Sequence, residues 1–268
     1  MQPRPHSQPT APLPSQEGGG GAAHASLPTP SDRKTGKVQG MFDSIASSYD
    51  LLNRLMTGGL DIYWRRCVIE EVQALRPRRA LDVACGTGDL TFLLARRVPS
   101  IKELMGVDLS SQMLAKAQER AHKKGLAERI AFCCSDILAL DLPPGRFDVI
   151  TCAFGVRNFA DRGAALEHMT RLLSPGGALF ILELSVPQNA LVRTGYRLYA
   201  HKLIPALGAL VAGRKGAYTY LPHSIDLAPQ GVQMQQMMQQ AGLERTSYQT
   251  LTGGVVTLYR GFAASRPQ

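Results

Sequence analysis

The chain is short of the features that mark several common protein classes. Its five cysteines, Cys67, Cys85, Cys133, Cys134 and Cys152, are odd in number and show no C-x-x-C spacing. That argues against a disulfide framework or a zinc site and suits a reducing compartment. No apolar run approaches the roughly eighteen residues of a membrane span; the longest, Leu203 to Gly213, is interrupted by Pro205 and Gly208. The glycine-lysine phosphate loop of NTPases is absent, and so is any internal repeat. The first thirty-six residues have seven prolines, a four-glycine run and almost no large apolar side chains. Such a composition cannot offset the entropy of ordering, so 1–36 is expected to be a disordered extension. It has no apolar core of a secretory signal, and its few basic residues lack the amphipathic spacing of a transit peptide.

What is present is a 268-residue chain with 44% apolar residues, enough for one sizeable domain, expected over 37–262 with a short tail at 263–268. The formal charge of +9 is unevenly spread. Residues 41–185 carry 18 basic and 17 acidic groups, whereas residues 186–268 carry 8 and 2. Nucleic-acid binding would use such charge on phosphates, yet most of the chain is near neutral and no basic-aromatic stacking platform is visible.

From residue 41 an apolar stripe at three- and four-residue steps (Phe42, Ile45, Tyr49, Leu52, Met56) predicts a helix ended by Thr57-Gly58-Gly59, and a second helix over Asp61–Leu75 is stopped by Pro77. Strands are then predicted over Arg79–Ala84, Glu103–Val107, Arg129–Cys134, Phe147–Ala153 and Ala178–Leu184. Helices over Asp89–Arg97, Ser110–Lys124 and Ala164–Leu173 alternate with them. This rhythm implies an α/β fold, a mostly parallel sheet with helices on both faces, and runs such as LDVA and LFILEL suit strands buried on both sides. An apolar, basic helix (Ala190–Leu203), an irregular Gly/Tyr stretch, a helix (Val232–Ala241) and strands near Glu244–Thr250 and Val255–Gly261 follow.

The first strand runs into Asp82-Val83-Ala84-Cys85-Gly86-Thr87-Gly88-Asp89 and then a helix. Glycines at such a turn let the backbone approach a ligand. Asp108 closes the second strand, where an acid suits ribose hydroxyls in doubly wound folds. Thr91 stands where the third glycine of a dinucleotide fingerprint belongs. An adenosine site without a pyrophosphate cradle points to S-adenosylmethionine, with Asp82, Gly86, Gly88 and Asp108 as its candidates. The plainer alternative is that the glycines only turn the chain and Asp108 caps the next helix. Asp136, past the third strand, is placed to accept the adenine amino group with Ile137 offering its amide, or else is a turn residue.

These residues, with MFDSIASSYDLLNRLMTGGLDIYWRR, VITCAFGVRNF, LLSPGGALFILELS, AYTYLPHSI and LTGGVVTLYRG, resemble the quinone-biosynthesis C-methyltransferases of the menaquinone and ubiquinone pathways, from about Lys37 to Phe262. The resemblance implies a Rossmann-like class I methyltransferase with a seven-stranded sheet and an antiparallel last strand. It implies cofactor contacts at Thr87, Asp108, Asp136 and Ile137. Many relatives have a serine where this chain has Ala153, so only a backbone contact is expected there. The implied reaction adds a methyl group to a ring carbon of a polyprenylated quinol, with demethylmenaquinol preferred over the ubiquinone precursor.

Aromatic carbon becomes nucleophilic when the adjacent hydroxyl gives up its proton, so a site must align carbon, methyl and sulfur and stabilise a phenolate. Arg157 and Asn158, after the fourth strand, and Tyr49, on an N-terminal helix expected to act as a lid, are the catalytic candidates. Asp50 is a further acid or base. Arg157 stays protonated, which makes it an electrostatic stabiliser rather than a base. Against these stand a packing role for Tyr49 and a salt-bridged loop for Arg157-Asn158. His201 and His223 show no ligand spacing, and no metal is expected. The segment holding Arg193, Arg197, Lys202, Arg214 and Lys215 is basic and apolar, as a surface lying on an anionic membrane would be. A helix packed on the sheet or a homodimer interface are the alternatives, and a cytoplasmic protein peripheral to the inner face of the membrane is the expected location. A catalytically silent scaffold in a quinone-synthesis assembly is the remaining rival reading.

Overall fold

The computed structural model describes residues 30–46, 49–199, 221 and 223–265. Two helices, α1 (Pro30–Ile45) and α2 (Tyr49–Thr57), precede α3 (Leu60–Leu75). The alternating body comprises β1 (Arg79–Val83), α4 (Asp89–Arg97), β2 (Glu103–Asp108), α5 (Ser111–Lys123), β3 (Ala131–Cys134), β4 (Phe147–Ala153), α6 (Arg162–Leu172) and β5 (Leu173–Leu184). It ends with α7 (Ala190–Leu198), α8 (Val232–Gln240), β6 (Leu243–Leu251) and β7 (Val256–Ala263).

The seven strands form one sheet in the order β3-β2-β1-β4-β5-β7-β6. The first five strands pair in parallel, and β7 is antiparallel to both its neighbours, β5 and β6. Alternate residues of each strand serve opposite apolar layers. Ala178, Phe180 and Leu182 of β5 pack with Trp64, Val68 and Val72 of α3 and Leu90 and Leu94 of α4. Leu179 and Ile181 pack with Leu166 and Met169 of α6 and Met234 and Met238 of α8. Covering on both faces explains the unbroken apolar runs of the sequence.

Three expectations change. The Phe42–Met56 stripe is two helices rather than one. The first helix begins at Pro30, so residues 30–36 are helical where an extension was expected; Pro30 costs nothing there, because the first helical N–H has no partner to lose. The third change is in β5, which starts at Leu173: the register jumps from Phe147↔Leu173 to Val149↔Ala178, taking Ser174-Pro175-Gly176-Gly177 into a bulge. Residues 1–29, the basic segment 200–220 with His201, and residues 266–268 lie outside the described residues.

Candidate functional site

The carboxyl ends of β1, β2, β3 and β4 border a cavity of about 580 Å³. Helix α1 roofs it with Val38, Gln39 and Phe42. Ala84 and Phe154, the residues that follow β1 and β4, have left-handed backbones at φ 53° and 60°. Non-glycine residues rarely adopt that conformation, and its strain collects at binding sites. Gly86 lies on the rim with φ +55°, and a Cβ there would meet nothing within 4 Å, so its backbone is open to an occupant. Gly88 (φ +91°) is glycine for the opposite reason: a Cβ would lie 2.8 Å from the Phe92 ring.

Asp108 faces the cavity from the end of β2. Its oxygens accept amides from Gly86 at 2.7 Å and Ser110 at 2.9 Å, and the carboxylate keeps acceptor capacity for a hydroxyl. Burial pushes its carboxyl above the usual range, against the amides of Ser110, Gly86 and Leu109, and Asp43 on α1 adds to the rise. Asp136 and Ile137 line the cavity beyond β3, and Asp136 accepts the Leu138 amide at 2.9 Å. Ala153 and Asn158 border it at β4. Six predicted residues, Gly86, Asp108, Asp136, Ile137, Ala153 and Asn158, are therefore brought together around one space.

The other predicted residues are placed differently. Asp82 lies behind the cavity, 1% exposed, with its oxygens accepting the hydroxyls of Thr151 at 2.7 Å and Thr91 at 2.6 Å. It ties β1 to β4 and α4 instead of meeting a ligand. Burial raises its carboxyl to about 6, against those two hydroxyls and Arg65, with Asp108 adding to the rise. Thr87 turns its hydroxyl to Asp50 on α2 at 2.6 Å and stands outside the cavity lining. Gly88 stands at the N-terminus of α4, outside the cavity lining. Asp50 is no free acid or base: Thr87 occupies one oxygen and Arg120, at 3.0 Å, the other.

Arg157 lies outside the cavity lining, in the salt-bridged loop of the alternative reading. It is 6% exposed, and its guanidinium donates to Glu183 on β5 at 2.6 Å and to the Phe154 carbonyl. Its own amide also donates to Glu183, at 3.1 Å. A charge paired in this way fixes the 154–158 loop, which carries Asn158 to the cavity. Tyr49 opens α2, and its side chain lies outside the described residues. Glu183, Arg120, Asp89 and Tyr196 were missed, because no local pattern marks a residue whose partner is far along the chain. Burial raises the Tyr196 phenol to about 12, with Asp226 adding and Arg157 opposing, so it is a protonated donor at neutral pH.

A parallel sheet with an antiparallel β7, and a cavity at its carboxyl edge carrying an acid after β2, define a class I methyltransferase. Its fold is shared with a methyltransferase from Aquifex aeolicus (TM-score 0.53, 18% identity, 73% of this chain and 89% of that one). It is shared as well with a Haemonchus contortus phosphoethanolamine N-methyltransferase in complex with S-adenosyl-L-methionine (TM-score 0.51, 16% identity, 70% and 49%). The model of the ubiE/COQ5 methyltransferase family matches residues 31–263, and the chain belongs to that family. It is 46% identical over 224 residues to the demethylmenaquinone methyltransferase of Deinococcus radiodurans, covering 84% of this chain and 91% of that protein. It is 40% identical over 233 residues to a ubiquinone/menaquinone biosynthesis C-methyltransferase of Marinomonas (87% and 93%).

Proposed function

We propose that the chain uses S-adenosylmethionine to methylate a ring carbon of a polyprenylated quinol, demethylmenaquinol first and the ubiquinone precursor second. The observation that carries this reading is the extent of the Deinococcus match, 224 residues at 46% identity. The cavity fits the donor: Asp108 keeps acceptor capacity for a ribose hydroxyl, and Ile137 and Phe42 give apolar walls to a planar base. When bound, the sulfonium supplies an electrophilic methyl group. Asn158 borders the side of the cavity at β4, where a quinol oxygen would be oriented. Arg157 and Glu183 hold the loop that carries Asn158, and the α1 roof keeps water from the cavity.

A prenyl tail keeps such a substrate in a bilayer, so we place the protein at the cytoplasmic face of the membrane. Helix α7 supports this, with Leu191 84% and Leu198 60% exposed and Arg193 between them. Among the described residues no helix is long and apolar enough to cross a membrane. The test is to incubate purified protein with deuteromethyl S-adenosylmethionine and each reduced quinone precursor, then weigh the products. Labelled menaquinol as the main product supports the reading. Labelled benzoquinol alone moves the assignment to the second substrate, and no labelled quinol overturns it.

A further inference from the structure

Helix α2, which follows the α1 roof, meets the glycine loop at a charged junction. Arg120, on the face of α5 that also presents Met113 and Lys116, extends both arms of its guanidinium. Nη1 donates to Asp50 of α2 at 3.0 Å and to the Thr87 carbonyl at 2.9 Å, and Nη2 donates to Asp89 of α4 at 2.6 Å. The guanidinium stacks 5.2 Å over the Phe92 ring, the ring packed against Gly88. Asp50 returns to the same loop by accepting the Thr87 hydroxyl. One planar cation thus joins the lid helix, the ligand-facing loop and the helix that starts from it.

We propose that Arg120, through Asp50, is a positioning residue for methyl transfer: it latches α2, the helix that follows the α1 roof, onto the glycine loop that borders the cavity. The proposal rests on the reading of the cavity as the methyl-donor site. Three features carry it. Among the described residues the apolar seam between the end of α1 and α5 is Ile45, Ala46 and Met113 with Phe42 beside them, so polar joints share in deciding where the lid sits. Asp50 and Asp89 converge on the same guanidinium, and without it Asp50 loses its ion pair with Arg120 while Asp89 keeps Arg54 at 3.9 Å. The side chains of Arg120, Asp50 and Asp89 are only 24%, 28% and 20% exposed, which weakens solvent screening.

The geometry also says why this residue is arginine. Three acceptors on three elements need a fork of donors, and an ammonium is a single point on a flexible stem. Two other attachments, Lys116 to the Ala46 carbonyl at 2.8 Å and Ser110 to Asp43, hold the other lid helix and its end. Helix α2 has further ties of its own, from Thr57 to Asp61 at 3.0 Å, from Arg54 to Asp89 at 3.9 Å and from Tyr199 to the Met56 carbonyl, but Arg120 is the cation that also reaches the Thr87 carbonyl.

The test compares Arg120→Met, Arg120→Lys, Asp50→Asn and the double variant Arg120→Met/Asp50→Asn. Three readouts are taken: S-adenosylhomocysteine affinity by calorimetry, amide exchange over residues 50–57 with that ligand bound, and KM and kcat for methyl transfer. Losing charge-assisted bonds of this kind should raise the donor KM and the dissociation constant about tenfold or more. It should also speed exchange in α2 about tenfold. The double variant should be no worse than Arg120→Met, because both break one latch, and Arg120→Lys should fall between. Wild-type affinity and protection in Arg120→Met, with only a lower melting temperature, overturns the proposal; so do effects that add in the double variant. Absence of quinol methylation by the unaltered protein would count against the proposed function alone, since affinity and exchange still judge the latch.

Discussion

Around β1, β4 and β5 the side chains meet in two dry layers, with Leu81, Val149, Ile150, Leu179 and Ile181 all inaccessible to water. The lid instead meets α5, among the described residues, through Ile45 and Ala46 against Met113, with Ser110–Asp43, Lys116–Ala46 and Arg120–Asp50 beside them. Burial at roughly 25 cal/mol per Å² makes the first region the source of global stability. The second is held by groups whose net worth in water is small, so it can open while the sheet stays folded. A methyltransferase needs both: a frame that fixes donor geometry and a cover that admits and releases small molecules.

The sharpest way to break the comparison is at the frame. Arg157→Met should destabilise the fold by about 3–5 kcal/mol, because it strands the buried Glu183 carboxylate. Chemical denaturation of that variant beside Arg157→Met/Glu183→Met, which removes both charges, measures this. Wild-type stability with lost turnover would instead return Arg157 to direct contact with substrate.

Asp82 gives the next effect. Its folded carboxyl, at about 6, lies above the ordinary value of 3.8, so between these values the folded state holds the extra proton. Stability from this group is therefore present at low pH and lost as pH rises from about 4 to about 6, by roughly 3 kcal/mol. Melting curves of Asp82→Asn across that window should lack this downward contribution; an unchanged slope would refute it.

At the site, Asp108→Ala should weaken S-adenosylmethionine binding by roughly 1.5–3 kcal/mol in calorimetry while leaving the domain folded. The smallest effect on global stability belongs to the lid. Ile45→Ala should cost well below the roughly 2–5 kcal/mol of a core truncation, yet speed amide exchange in α1. A full core-sized loss would make lid and sheet one cooperative unit.

The same contrast explains what could be read from the sequence. The alternating strands, the glycine turn and Asp108 follow from local patterns, and Asp108 meets Gly86 across only the β1–β2 register. The helix break between Ile45 and Tyr49 left the apolar stripe intact, so periodicity merged two helices. Arg157 reads either as a stabilising cation or as part of a salt-bridged loop until β5 brings Glu183 beside it, and nothing local to Thr87 announces the Asp50 that α2 brings. Residues whose partners come from elsewhere in the topology keep their roles hidden until the chain is folded.

The placement of β7 has a consequence for how the chain is made. β5 ends at Leu184, but the strand that hydrogen-bonds its outer edge begins at Val256. At about 5–20 residues per second on the ribosome, that edge waits unpaired for on the order of 4–15 s. During this interval a long apolar strand offers free amides and carbonyls to any neighbouring nascent chain, the geometry from which aggregates are seeded. Slowing translation across residues 185–255 should therefore lower the soluble yield while leaving the finished protein unchanged.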